Sequence, residues 1–406
     1  MRLSDRTANV LLLLISLSVC ALLLILATRW LRSGFDAALN DYGALISFDP
    51  TRTGGHLLPN VQQAVQGAST GQAVNWRTDA HGFRIDGELS LLPAVGVRRI
   101  FLLGDSFVDG MRTDQRLTIG ALLEDALRAR GEAVEVVISG HNNPANAWYW
   151  LQTHSPQFKP TEVILGLTLG NDLFAQNLHA GMQPDSRAGR VRLVDAGMLD
   201  GDLRRMPAYL PASAYRAPSW WRDQWYAQTF ALSGALAEQL GWFADSIPPF
   251  AGASKPRKVW DRDIYASLGL FHVPINGFAE FSYASNRETL NGIATLLRER
   301  GIAFSVVIFP VRHQVSPLDW QRLVDVLALN PTRFDLDAPN RRLLADCASL
   351  KISCLDPTVA MRAHMRAGLE PLYRPRGDMH FNEAGNRFIA RMLVARRPAP
   401  IGASAK

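Results

Sequence analysis

A serine at the end of one apolar run and an Asp-x-His far downstream are the residues whose chemistry can be named first. Gly104-Asp105-Ser106-Phe107 follows Arg99-Ile100-Phe101-Leu102-Leu103, so Ser106 stands where a core strand breaks into a loop. A hydroxyl is a poor nucleophile at neutral pH. It needs an imidazole to take its proton and a carboxylate to fix that imidazole's tautomer. Asp378-Met379-His380 delivers both from one short loop. The set suits nucleophilic acyl transfer, with Ser106 attacking, His380 as base and Asp378 orienting the base. Asp105 is read as a hydrogen-bonding residue that holds the nucleophile loop.

Gly-Asp-Ser by itself is ordinary turn composition, and its surroundings set it apart. Leu167-Thr168-Leu169-Gly170-Asn171-Asp172 follows the apolar run Val163-Ile164-Leu165, and Val136-Val137-Ile138-Ser139-Gly140 ends a third. In content and order these strand ends, followed by the Asp-x-His, resemble the SGNH (GDSL-type) hydrolase superfamily from about Arg98 to about Arg396. The resemblance implies the SGNH hydrolase fold, a flavodoxin-like α/β three-layer sandwich around a central parallel sheet; no clustered His or Cys spacing and no phosphate-cradling glycine loop or dinucleotide fingerprint is present, so no metal and no cofactor is expected. It implies an oxyanion hole made from the side-chain amide of Asn171, the backbone NH of Ser106, and the backbone of Gly140 or of Asn143. Phe107 replaces the leucine of the family's name. In exported relatives a Gly-Phe-Arg stretch commonly precedes the catalytic strand, as Gly82-Phe83-Arg84 does here.

The elements needed to position these residues alternate between strand and helix. Strands are expected at Ile100 to Leu103, Val134 to Ser139, Val163 to Leu167, Phe304 to Phe309 and Ile352 to Leu355. Helices are expected at Ile119 to Arg130, Ala145 to His154, Arg287 to Arg300, Asn340 to Leu350 and Glu383 to Val394. Such alternation builds a parallel sheet covered by helices on both faces, with ligands bound beyond the strands' carboxyl ends. His141 lies beside that rim as a substrate contact or a scaffold residue. Arg312 and His313 follow the strand ending Phe309-Pro310 and are read as binding an anionic substrate.

At 406 residues and 48% hydrophobic content the chain has room for a large core. Ala8 to Thr28 carries no charge, and about 20 such residues cross a hydrocarbon core of about 30 Å. The expected order is a cytoplasmic tail (1–7), a membrane anchor (8–28), a lead-in with short strands (29–97), the hydrolase domain (98–396) and a disordered tail (397–406). Leu173 to Asn286 is an insertion rich in Trp, Tyr and Phe, read as a lid, an interfacial belt or its own small core. Flanking arginines are balanced around the span. Cys347 and Cys354 are read either as a disulfide in an oxidising compartment or as two buried thiols. The net charge of +6 is dispersed, which argues against nucleic acid as a partner.

The combined expectation is a single-pass inner-membrane protein with a periplasmic serine esterase or O-acyltransferase domain. Its substrate would be an acetyl ester of cell-envelope polysaccharide, with an acyl-donor membrane protein as partner. The rival readings are a lipid or lysophospholipid hydrolase and a catalytically silent polysaccharide-binding or assembly protein.

Overall fold

Five apolar runs form one parallel sheet in the computed structural model of the chain. It describes residues 46–47, 56–66, 73–110, 113–140, 143–170, 172–173, 182–185, 190–193, 268–275, 277–327, 329–374 and 379–397, and near the N-terminus Leu13, 16–20 and Leu23. The chain divides into two compact units, Met1–Ala44 with Ala217–Val259, and Leu45–Arg216 with Trp260–Lys406. In the first unit the described residues are helical and exposed. No helix of the described residues is long and apolar enough to cross a membrane, and the expected anchor lies mostly outside them.

In the second unit the strands are β1 (Arg98–Leu103), β2 (Val134–Ser139), β3 (Glu162–Thr168), β4 (Ala303–Phe309) and β5 (Ser353–Leu355). Their spatial order is β5-β4-β3-β1-β2, all parallel. This is the flavodoxin-like order, whose ligand crevice opens where the winding reverses, between β1 and β3. The helices are α1 (Ser106–Asp109), α2 (Ile119–Ala129), α3 (Pro144–Thr153), α4 (Gly277–Glu299), α5 (Arg312–Val315), α6 (Pro317–Leu327), α7 (Ala338–Leu350), α8 (Thr358–Arg366) and α9 (Glu383–Ala395).

Side chains alternate across a strand, so each central strand feeds two cores. Phe101, Leu103, Val163, Leu165, Val306 and Ile308 join one cluster, with residues of α3, α4 and α7. Ile100, Leu102, Val136, Ile138, Ile164 and Val307 join the other, with residues of α2, α8 and α9. Three layers follow directly from that parity. Ile119, Leu123 and Leu127 show how a helix docks, because spacing of four residues puts all three on one face and all three are fully buried. Replacing such a leucine by alanine costs about 2–5 kcal/mol. Side-chain oxygens cap the helix starts: Thr118 accepts from the Ala121 NH at 3.3 Å, and Asn382 from the Gly385 NH at 2.9 Å.

Two parts of the sequence expectation change. Helix α4 begins at Gly277, inside the expected insertion and ahead of the expected start at Arg287. Phe271, counted among the insertion's aromatics, is fully buried in the α3/α4 core. The insertion's tryptophans lie outside the described residues, as does most of the expected C-terminal tail. Cys347 and Cys354 are joined as a disulfide, Cα atoms 6.2 Å apart, tying the end of α7 to the edge strand β5.

Ahead of the sheet, Gln62–Gln66 and Ala73–Arg77 pair as an antiparallel hairpin. The buried Asp79 then organises the following turn, accepting from the NH groups of His81 (2.9 Å), Phe83 (2.8 Å) and Leu89 (3.3 Å). That turn presents Gly82-Phe83-Arg84 to the sheet.

Candidate active site

The carboxyl end of β1 runs straight into α1, a single turn whose first residue is Ser106. Asp105 caps it, its Oδ1 accepting from the Phe107 NH at 3.0 Å, while its carbonyl takes the NH groups of Val108 (3.0 Å) and Asp109 (3.2 Å). The turn lies close against neighbouring strand ends, and glycine makes that approach possible. A Cβ on Gly166 of β3 would sit 2.8 Å from Val108 and press into the Phe309 ring, and one on Gly140 would overlap the Asp109 side chain. At Gly140 the structure therefore shows a packing requirement. Asn143, the other residue considered for the same role, caps α3 with its side chain, its Oδ1 accepting from the Asn146 NH at 2.9 Å.

His380 arrives from the opposite direction of the chain, between α8 and α9. Ser106 Oγ and His380 Nε2 are 2.7 Å apart across 274 residues of sequence. Phe107 lies beside the imidazole, ring centroids 4.9 Å apart, and is itself packed on Phe381 at 4.9 Å and Phe309 at 5.9 Å. The aromatic ring of Phe107 thus supports the histidine. The strand-like bridge Tyr373 to Phe381 brings the histidine loop back on itself. Tyr373 donates its hydroxyl to the Pro310 carbonyl at 2.8 Å, and burial pushes that phenol well above its usual pKa. Asp378, Asn171 and His141 lie outside the described residues.

Arg312 and His313, expected as contacts for an anion, are both engaged in this scaffold. Arg312 donates to Asp319 at 2.8 Å and to the carbonyl of Arg374 at 2.8 Å. His313 packs edge-on against Phe271 and near Trp320, with its Nε2 enclosed. Burial pushes the imidazole down to about 4, against a smaller opposing pull from Asp319, so it is neutral at pH 7 and offers no charge to an anion. The residue as a whole is half-buried, while Nε2 itself is shut off from solvent.

Two acids stand behind the nucleophile. Asp172 is buried and accepts from the Thr168 NH at 2.7 Å through Oδ2. Burial first, and the negative charge of Asp105 second, push its pKa well above the carboxylate range, with the Thr168 bond opposing. A cavity of about 240 Å³ among the described residues lies near the C-terminal end of α3, lined by His81, Phe83, Trp150, His154 and Phe158 among others, and includes neither Ser106 nor His380. Reading the sequence missed the roles of Arg84, Thr113 and Arg374 near the site. Only Arg84 left a trace, as part of Gly-Phe-Arg.

No protein-family model and no curated protein matches the sequence. Among solved structures, an acetyl xylan esterase, AlAXEase, aligns at 10% identity over 73% of this chain and 98% of its own, with a TM-score of 0.37. A catalytic mutant of Axe2, an acetylxylan esterase from Geobacillus stearothermophilus, aligns at 12% identity over 73% and 93%, TM-score 0.37. A lipase/acylhydrolase from Enterococcus faecalis aligns at 14% over 73% and 94%, TM-score 0.36. Likeness this distant assigns no reaction.

Proposed function

We propose that the chain is a serine hydrolase of SGNH type, acting as an esterase or O-acyltransferase. The observation that carries this reading is the 2.7 Å contact between Ser106 Oγ and His380 Nε2, at the carboxyl end of β1 beside the winding reversal of the sheet. In the first half-reaction Oγ attacks an ester carbonyl while Nε2 takes the hydroxyl proton. Asp378 holds the imidazolium. The carbonyl's electron pair moves onto oxygen, which is received by the Ser106 NH, the Asn171 amide and the backbone of Gly140 or Asn143. Collapse expels the alcohol, which takes the proton back from His380. In the second half-reaction water, or a sugar hydroxyl, gives its proton to His380 and attacks the acyl-enzyme carbonyl; collapse then breaks the bond to Oγ, which takes the proton back from His380, and the acid or the new ester leaves.

The preferred substrate is an acetyl ester of cell-envelope polysaccharide, met by a domain outside the inner membrane and anchored by residues 8–28. A membrane protein would hand on the acyl group if transfer is the reaction. The disulfide between Cys347 and Cys354 supports the oxidising side of the membrane. A fluorophosphonate probe tests the chemistry. It should label the wild-type protein on Ser106, located by peptide mass spectrometry, and leave Ser106→Ala unlabelled. Labelling at another residue, or none at all, would overturn the reading.

A further inference from the structure

Arg84 reaches the nucleophile turn from outside the sheet. It is fully buried, its guanidinium 3.9 Å from the centre of the Trp76 ring in the lead-in hairpin. Nη1 donates to the carbonyls of Asp109 and of Gly110 (the latter at 3.0 Å), and Nη2 donates to the carbonyl of Thr113. Asp109 and Gly110 close α1, so the guanidinium grips the far end of the turn that Ser106 begins. Its donors point in fixed, coplanar directions, and engaging three carbonyls at once leaves the segment little freedom. A lysine cannot reproduce that fork.

The grip continues to the histidine. Thr113 Oγ1 accepts from Nη2 of Arg374 at 2.9 Å, and the backbone NH of Arg374 donates to the carbonyl of His380 at 3.0 Å. Arg84 and Arg374 therefore meet on one residue, with the serine turn on one side and the histidine loop on the other. We propose that Arg84 is a positioning residue that, through Thr113 and Arg374, sets the spacing between Ser106 and His380. The hairpin and the Gly-Phe-Arg turn ahead of β1 then form part of the active-site frame. This inference rests on the reading of Ser106 and His380 as a catalytic pair.

The test uses the full chain with Arg84→Lys and the near-isosteric Thr113→Val, which keeps the carbonyl for Arg84 and removes the oxygen that Arg374 holds. On a short aryl ester, each folded variant should lose about tenfold or more in kcat with KM within about twofold, because small misplacements of reacting groups are costly while binding contacts are untouched. Hydrogen–deuterium exchange should rise in the peptide carrying His380 when the change is at Arg84. Wild-type kcat in both variants, or faster exchange confined to residues 109–113, would overturn the proposal. The exchange result decides the network even if the fluorophosphonate probe fails on the wild-type protein, so the two ideas fail separately.

Discussion

On the serine side of the site, α1 is held by close packing: Val108 against Gly166, and Asp109 against Gly140. On the histidine side the loop is held by polar atoms, with Tyr373 bonded to Pro310, Arg312 to the Arg374 carbonyl, and Asn382 to the Pro371 carbonyl at 2.6 Å. The nucleophile needs one short reach from a rigid strand, so close packing fixes its turn together with the hydrogen bonds that Arg84 makes at the far end. The base must be brought back from hundreds of residues away on irregular chain, whose backbone groups need partners wherever they are buried. Adding an atom therefore breaks the first region, whereas removing a polar partner breaks either.

The largest effects ignore the contrast and set its scale. Ser106→Ala and His380→Ala should each lower turnover by about 10⁴-fold or more with the unfolding midpoint unchanged, since residues that act as a unit fail as one. Near-normal turnover of purified Ser106→Ala protein would remove the serine from the chemistry. Next in size, Gly166→Ala should push a methyl between Val108 and the Phe309 ring, costing about 1–3 kcal/mol in urea unfolding and displacing the serine. Unchanged stability and activity would mean that the strand end is looser than the packing indicates.

What could be read in advance follows the same division. Buried parallel strands are continuous apolar runs, so β1 to β4 stood out, and Ser106 with them. Helix α4 begins earlier than the apolar period indicates because Ser282, Ser285 and Asn286 are buried in its first half, which interrupts that period. The one-turn α1 is too short to carry a period at all. Arg84, Thr113 and Arg374 were not legible as frame residues because their partners include backbone carbonyls and a hydroxyl distant in sequence, and a carbonyl leaves no residue-type signal. Ser106 and His380 were legible by type and context, whereas their 2.7 Å contact is a product of the fold.

A smaller effect sharpens the histidine side. Tyr373→Phe deletes one oxygen and should cost about 1 kcal/mol through the lost bond to Pro310. Hydrogen exchange should quicken in the peptide spanning residues 372–382 and stay unchanged across 104–110. Equal acceleration in both would show that the bond to Pro310 also holds the serine turn.

The smallest expected effects are differences in pH dependence, and the two regions should show them with opposite sign. Burial lowers His313, on the histidine side, to about 4. The unfolded chain binds that proton first, so its contribution is present above about pH 6.5 and is lost as pH falls toward 4. Burial raises Asp172, behind the serine, with the charge of Asp105 adding to it. Here the folded state keeps the proton longer. The contribution is complete below the unfolded pKa of about 3.9 and is lost as pH rises through the folded pKa. Asp79 and Glu124 are also raised, chiefly by burial, so the slope of the wild-type protein alone cannot isolate Asp172. The difference between wild type and Asp172→Asn can, because asparagine keeps the shape and has no proton to lose. Urea midpoints measured from pH 4 to 9 should show the variant gaining on the wild type as pH rises, while His313→Gln should gain on it as pH falls below about 6.5. A pH-independent difference for Asp172→Asn would mean that its carboxyl ionises in the folded protein as readily as in the unfolded chain, and the serine side would then carry no acid tuned by burial.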